Sequence, residues 1–359
     1  MDHVLPNIEV IKLCPAAFLL QVPQAGVSWI FNPWPDITKS LDDKKLSFNG
    51  VVCPDIRLQQ GISCNLIEFP LFHAMYIQGM VFRNEKPFLV GTDQQLRLAS
   101  EAFRRGVYGF FDQTELADCD LSAEQALDLM QEISGLASDQ RIKPTEELVR
   151  LVNLNPLTTS DDAPQATDFN GLKIWKKDIN VFAASWQEEE VEIDCNLAAG
   201  EIYTPPLKID VKNIPINDYQ VIDTGEEDGF APQSCMHTVL RWNQKVLCID
   251  LPMNASYLLD KVSISHTQLD AVLFTHNHDD HIGEFSLLFR MDKKTTVICP
   301  KVIWQSILLK ASMMFDMSIA ELESYVDYRP IGFGPENELE YAGMRIEAYP
   351  SIHSVPCAV

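Results

Sequence analysis

The chain is short of positive charge. Lysine and arginine number 28 against 51 aspartates and glutamates in 359 residues, a formal charge of −23 and a pI near 4.6. A surface of that sign repels phosphate backbones and anionic lipid, and there is no Lys/Arg-rich arm to offset it. Nucleic acid and membrane are therefore disfavoured as partners, and a small-molecule substrate is the expectation. The chain also lacks any C-x-x-C pair. Its nine cysteines, scattered from Cys14 to Cys357, are an odd set that suits neither a disulfide framework nor a thiolate zinc site. No stretch approaches the roughly 20 apolar residues of a membrane span. The opening MDHVLPNIEV has no basic stretch before the short apolar run 16–22, which argues against a signal sequence. The expectation is a soluble cytoplasmic protein with reduced thiols.

What is present is ordinary globular material, 46% hydrophobic and 22% charged, so the chain should fold. Its length allows two or three domains at roughly 100 to 200 residues each. Strand-like runs at 27–32, 50–53 and 88–90 precede a helix at 92–105 that Gly106 should stop. Ser122 and Gln125 form a capping-box pair opening a helix at 123–133, and Pro144 starts another short one. The polar stretch 158–168 marks a surface connection. The acidic run 188–194, with alternating valine and isoleucine, reads as the solvated face of a strand. From about residue 205 the rhythm is clearer. Strands are expected at 219–222, 237–242, 245–249, 271–275, 295–298 and 344–348, and helices at 258–262, 282–290, 304–314 and 318–328. This is an alternating α/β arrangement with a β-rich start.

The two parts echo each other. WIFNPWPD, LSFNGVVCPDIRLQQG and IEFPLF align with VLCIDLPM, TQLDAVLFTHNHDDHIG and GEFSLLF, running from Asn32 or Asp250 to Gly61 or Gly283. The echo reads as a duplicated half-domain whose first copy has lost its chemistry. Pro54, Ile56, Leu58 and Gln59 stand where the second copy has His276, His278, Asp280 and His281.

Those four residues, within THNHDDHIG, follow the hydrophobic strand 271–274 directly, at the strand end where α/β folds place their sites. In an extended loop His276 and His278 share one side, and the Asp280–His281 pair can turn toward a second ion, so two adjacent metal sites are implied. His353, beyond a second strand in YPSIHSVPC, joins them as a candidate ligand. His3, His73, His237 and His266 have no such setting and are read as structural, His237 alone lying near the site in the strand order. The six tryptophans read as core rather than pocket.

At this point the chain resembles the metallo-β-lactamase superfamily. The resemblance rests on H-x-H-x-D-H as His276, His278, Asp280 and His281, on VLCID ending at Asp250, and on HSVPC beginning at His353. It covers 205–359 well and the first 140 residues weakly. It implies a four-layer αββα sandwich preceded by a degenerate copy of the same half-domain. The expected layout is a degenerate domain at 1–140, a connecting region at 141–204 and the metal-binding domain at 205–359. It further implies a binuclear site, with His276, His278 and His353 on one metal and Asp280 and His281 on the other. Asp250 would be a buried structural residue beside the site, not a ligand. Two-metal relatives continue to a bridging aspartate and a last histidine, whereas only SVPCAV follows His353. Either the chain is a fragment, which is the favoured expectation, or its site is completed unusually.

Two divalent ions are expected as cofactors, zinc first, with iron or manganese suiting the same donors. Sharing a water, they would lower its pKa from about 15.7 toward 7 and so supply hydroxide, with Asp280 as the catalytic residue that orients it and moves its proton. HSVPC and the paired copies look most like the phosphodiesterase branch that includes long-form ribonuclease Z and cyclic-nucleotide phosphodiesterases. The charge argues against a tRNA substrate. The expected function is a metal-dependent hydrolase of a phosphodiester or other small ester. The alternative is a non-hydrolytic di-iron protein that binds oxygen or senses redox state. Either is compatible with the first copy acting as a platform for a partner or for a homodimer.

Overall fold

A computed structural model describes residues 7–136, 140–154, 166–206, 214–215, 217–225, 229–231 and 233–359. The chain forms two compact units, Met1–Ser100 with Thr145–Pro206, and Glu101–Pro144 with Leu207–Val359.

In the first unit, strands β1 (Glu9–Cys14), β2 (Ala17–Val22) and β3 (Val27–Phe31) form an antiparallel meander. Helix α1 (Ile37–Lys44) then crosses to β4 (Gly50–Val52), which lies parallel to β3. The two-residue strands β5 (Leu58–Gln59) and β6 (Ile62–Ser63) and helix α2 (Glu68–Phe72) lead to β7 (Phe88–Gly91), parallel to β4. Helix α3 (Asp93–Tyr108) begins in this unit and ends in the second, which also holds helix α4 (Ala123–Leu136); after α5 (Thr145–Leu148) the first unit adds β8 (Arg150–Asn153), parallel to β7. The sheet order is β1-β2-β3-β4-β7-β8. A second, four-stranded sheet is built from β9 (Thr167–Phe169), β10 (Leu172–Asp178), β11 (Val181–Trp186) and β12 (Glu189–Asp194). Along β10, Leu172 and Ile174 are buried while Lys173 is exposed, the period-two pattern of a strand with one dry face. Those residues join Leu20, Trp29, Phe31, Val90 and Phe182 in one core, so the two sheets pack as a sandwich. On β12 the acidic side chains are exposed and only Ile193 is buried, as the alternation anticipates.

The second unit repeats the first sheet's order. β13 (Tyr219–Gly225), β14 (His237–Trp242) and β15 (Lys245–Ile249) are antiparallel. Helix α6 (Ala255–Lys261) leads to β16 (Leu269–Leu273), parallel to β15. Next come helix α7 (Asp279–Ile282), β17 (Thr295–Cys299), helices α8 (Lys301–Phe315) and α9 (Ile319–Ser324), and β18 (Val326–Pro330), with β17 and β18 continuing the parallel run. Short ribbons β19 (Leu339–Tyr341) with β20 (Met344–Ile346), and β21 (Pro350–Ser351) with β22 (Cys357–Ala358), complete it. The likeness extends to backbone detail. Asn32 and Asp250, each just past the third strand, have φ of +60° and +63°, and Asp36 and Asn254, four residues on, have +57° and +65°. Left-handed non-glycine residues are uncommon. Two at matched spacing in both sheets fit a duplicated frame.

Three expectations are corrected. The helix expected at 318–328 ends at Ser324, and Val326–Pro330 is a strand beside β17. β17 has an open parallel edge there, and pairing with it satisfies backbone groups that one more helical turn would leave at a Pro330 break. Helix α3 runs through Gly106 and stops at Gly109, whose left-handed φ of +73° ends the helix; a side chain there would also strike Pro356. Helix α4 runs through Gly135 to Leu136, and its Ser122–Gln125 capping box is formed in both directions, at 2.8 and 3.1 Å. Of the expected connection, 158–165 lies outside the described residues, as does His3, while Thr167–Phe169 is a strand. Trp29, Trp34 and Trp304 are buried, whereas Trp242 is partly exposed. All nine cysteines are free thiols. Among the described residues no helix is long and apolar enough to cross a membrane.

His237, on β14, has no solvent exposure. Its Nδ1 lies 2.6 Å from Thr224 Oγ1 and its Nε2 has no partner among the described residues. Burial pushes its pKa from 6.5 down to about 4. Between those values the unfolded chain binds a proton that the folded chain refuses. The neutral ring's contribution is therefore full above pH 6.5 and lost as the pH falls toward 4. Unfolding free energies from urea titrations across that window should fall less steeply for His237→Leu than for wild type, by up to about 3 kcal/mol; parallel profiles would contradict this.

Candidate metal centre

The loop 275–283 follows β16 at its carboxyl end. Four imidazoles converge there. The ring of His276 lies 4.8 Å from that of His278, 3.9 Å from that of His281 and 4.6 Å from that of His353, centre to centre. Nitrogen atoms of His276, His278 and His353 lie within 4.8 Å of one another, and so do donor atoms of His276, Asp280 and His281. The five residues singled out from sequence are thus brought together, and His276 belongs to both groupings.

The backbone explains the convergence. Asp250 directly follows β15, and its amide donates to Leu273 O on the neighbouring strand at 2.8 Å. Its left-handed turn sets the carboxylate beneath the loop. Oδ1 accepts from Thr275 N at 2.8 Å, and Oδ2 accepts from Thr275 Oγ1 at 2.7 Å and from His281 Nδ1 at 2.7 Å. With its own proton given to Asp250, Thr275 Oγ1 is left as the acceptor for His276 Nδ1 at 3.0 Å. His278 donates from Nε2 to Gly106 O at 2.8 Å. Each bond assigns a tautomer. These bonds engage Nδ1 of His276 and His281 and Nε2 of His278, while His281 Nε2 lies 3.7 Å from Asp280 Oδ2. His353 differs, since its Nδ1 accepts from Ser354 N at 3.0 Å.

Sequence reasoning missed the groups under the loop. Asn277 is fully buried and donates to Arg105 O at 3.0 Å and to Ser306 Oγ at 2.8 Å. Asp279 pairs with Lys310 at 2.8 Å, both side chains 1% exposed, and Lys310 also donates to Asn277 O at 2.7 Å. A signal existed. Lys310 interrupts the apolar run of α8, and a lysine in such a run is rarely buried without a partner. Gly283 closes the loop where a Cβ would lie 2.3 Å from Asp279 O and 2.6 Å from Met253 Cγ.

Electrostatically, three of the four imidazoles are held toward the uncharged form. Burial holds His276 and His278 well below the usual imidazole value, neighbouring histidines or Lys310 adding to it, and His353 is lowered by burial and by His281. Burial raises Asp280. A set of neutral imidazoles with one carboxylate suits a divalent cation. His276 Nε2 supplies the structural test: it is buried with no hydrogen-bond partner among the described residues, as a nitrogen awaiting a cation would be.

The fold is α/β, and the second unit, with this loop at the end of a parallel strand, resembles the metallo-β-lactamase superfamily. The family described as "Anti-Pycsar protein Apyc1" matches residues 225–357. The chain is 26% identical over 151 residues to the cGMP-dependent 3',5'-cGMP phosphodiesterase A of Dictyostelium discoideum, covering 39% of this chain and 17% of that protein. It is 29% identical over 116 residues to the Anti-Pycsar protein Apyc1 of Saccharibacillus brassicae, covering 30% of this chain and 47% of that one. The chain therefore spans less than half the length of either relative. Among solved structures, the metallo-beta-lactamase fold protein YhfI from Bacillus subtilis aligns at a TM-score of 0.28 with 20% identity, over 38% of this chain and 56% of that one.

Lys310→Met removes the cation beside a buried carboxylate and should cost about 3–5 kcal/mol, measured by urea unfolding. Adding Asp279→Leu should recover part of that loss. A Lys310→Met loss below about 1 kcal/mol, the scale of an exposed pair, would show that the pair does not hold the loop.

Proposed function

We propose that the chain is a metal-dependent hydrolase acting on a small phosphodiester, with 3',5'-cyclic nucleotides the first class to test. The observation that carries the reading is the convergence of four imidazoles and Asp280 around a buried, unpartnered His276 Nε2. The phosphodiesterase named among the relatives points to the substrate class. In this reading His276, His278 and His353 hold one cation, and Asp280 and His281, with His276 adjacent, hold a second. Zinc is the first choice, and iron or manganese suits the same donors. The first unit, with Pro54, Ile56, Leu58 and Gln59 at the matching positions, is a copy without donors.

Divalent cations bound there would polarise a phosphoryl oxygen and bring a water's pKa toward neutrality. The protein's own groups do the rest. Asp250 and Thr275 hold His281 and His276 through Nδ1, and Gly106 O holds His278 through Nε2, which would limit the reorganisation needed to bind a cation. Asp280 accepts a hydrogen bond from the attacking water and takes its proton as the oxygen approaches phosphorus. The new P–O bond forms as one ester P–O bond breaks, and the proton passes to the departing oxygen.

Elemental analysis of protein purified without added metal should find zinc or manganese, lost in His276→Ala and reduced in Asp280→Ala. Diesterase turnover should fall at least about 100-fold in both, the scale of a lost general base or electrostatic group. Iron with an oxygen-sensitive near-ultraviolet band and no hydrolysis would replace this reading with the di-iron one. Metal content equal in wild type and His276→Ala would reject both.

A further inference from the structure

A cavity of about 360 Å³ in the second unit has His353 and Cys357 in its wall. Its size falls at the low end for small-molecule sites and leaves room for one compact ligand. Another part of its lining is a stripe of α4, Gln125, Leu129, Glu132 and Ile133, at the i, i+4, i+7, i+8 spacing of a single helix face. Val302 and Val355 extend the apolar surface. Polar groups on the stripe are few and oriented to separate tasks. Gln125 Oε1 is occupied by Ser122 N, which leaves its amide nitrogen to donate. Glu132 is exposed and offers a carboxylate that accepts N–H groups and repels a second phosphate.

Resting on the hydrolase reading above, we propose that this face of α4 is the wall that determines substrate specificity. It seats the flat heterocycle of a single nucleotide while the phosphodiester lies at His353. Leu129 and Ile133 pack on the ring, and Gln125 and Glu132 meet its polar edge. The site selects a cyclic mononucleotide over a longer chain by volume and by the charge of Glu132. α4 lies far from the histidine motif in sequence, so its part in specificity is visible only in the fold.

The experiment compares kcat/KM for 3',5'-cyclic GMP with that for methyl 4-nitrophenyl phosphate, a diester without a base, using the full chain loaded with metal. Leu129→Trp fills the cavity and should lower the cyclic-to-simple ratio by about 10-fold or more, chiefly through KM, as misfitting apolar groups do in specificity pockets. Glu132→Lys, at an exposed position the fold tolerates, should shift the same ratio by about 5-fold or more through the reversed charge. Unchanged ratios in both variants would overturn the proposal, as would a wild-type protein that cleaves the simple diester but no cyclic nucleotide. A wild-type protein that binds metal and cleaves neither diester would instead overturn the hydrolase reading, and the specificity wall with it.

Discussion

The candidate centre depends on one buried carboxylate. Asp250 is 3% exposed, and a charge so placed is tolerable only when hydrogen bonds surround it. Its partners are Thr275 N, Thr275 Oγ1 and His281 Nδ1. In satisfying itself it fixes the first residue of the loop, aims one imidazole directly and aims a second through the threonine hydroxyl. That position requires a strand to end in a left-handed turn, a conformation aspartate adopts more readily than most residues. The parallel strand order supplies the rest by setting β15 beside β16, so that the end of one strand lies under the loop leaving the other.

The first unit shows what the same frame does without donors. Asp55, one residue past Pro54 in the corresponding loop, accepts from Gln95 Nε2 at 2.9 Å and from Asn180 N at 2.8 Å and pairs with Lys176. Asn277, the matching residue of the second unit, bonds Ser306, and both Gln95 and Ser306 lie on the helix after the next strand. The tie between loop and helix is therefore structural and common to both units. Only the second unit adds histidines around it. The fold does not need them, which makes a chemical role the better account of four clustered imidazoles, one buried and three half-buried, at some cost in desolvation.

Much of this was legible in the sequence. H-x-H-x-D-H after a hydrophobic strand pointed to the cluster, and the echo between the two parts anticipated a strand–helix–strand frame appearing twice, because strand length and alternation are local properties. Residues 237–242 and 245–249 are strands to the residue. What was not legible is carried by contacts distant in the chain. Nothing local distinguishes the lysine at 310 as the partner of Asp279, or the carbonyl of Gly106 as the group that turns His278. The strand at 326–330 was hidden for the same reason. Its neighbours, Tyr325 and the capped helix before it, are compatible with more helix, and only the open edge of β17 decides.

The central claim is that the protein presets the imidazole tautomers before any metal arrives. Long-range proton–nitrogen correlation spectra of the histidine side chains in metal-free protein near pH 7 test it directly. The structure predicts the Nδ1–H tautomer for His276 and His281 and the Nε2–H tautomer for His278. It also predicts that Asp250→Ala randomises His281 and His276 while leaving His278 unchanged. Mixed tautomers in wild type, or an Asp250→Ala spectrum like that of wild type, would contradict it.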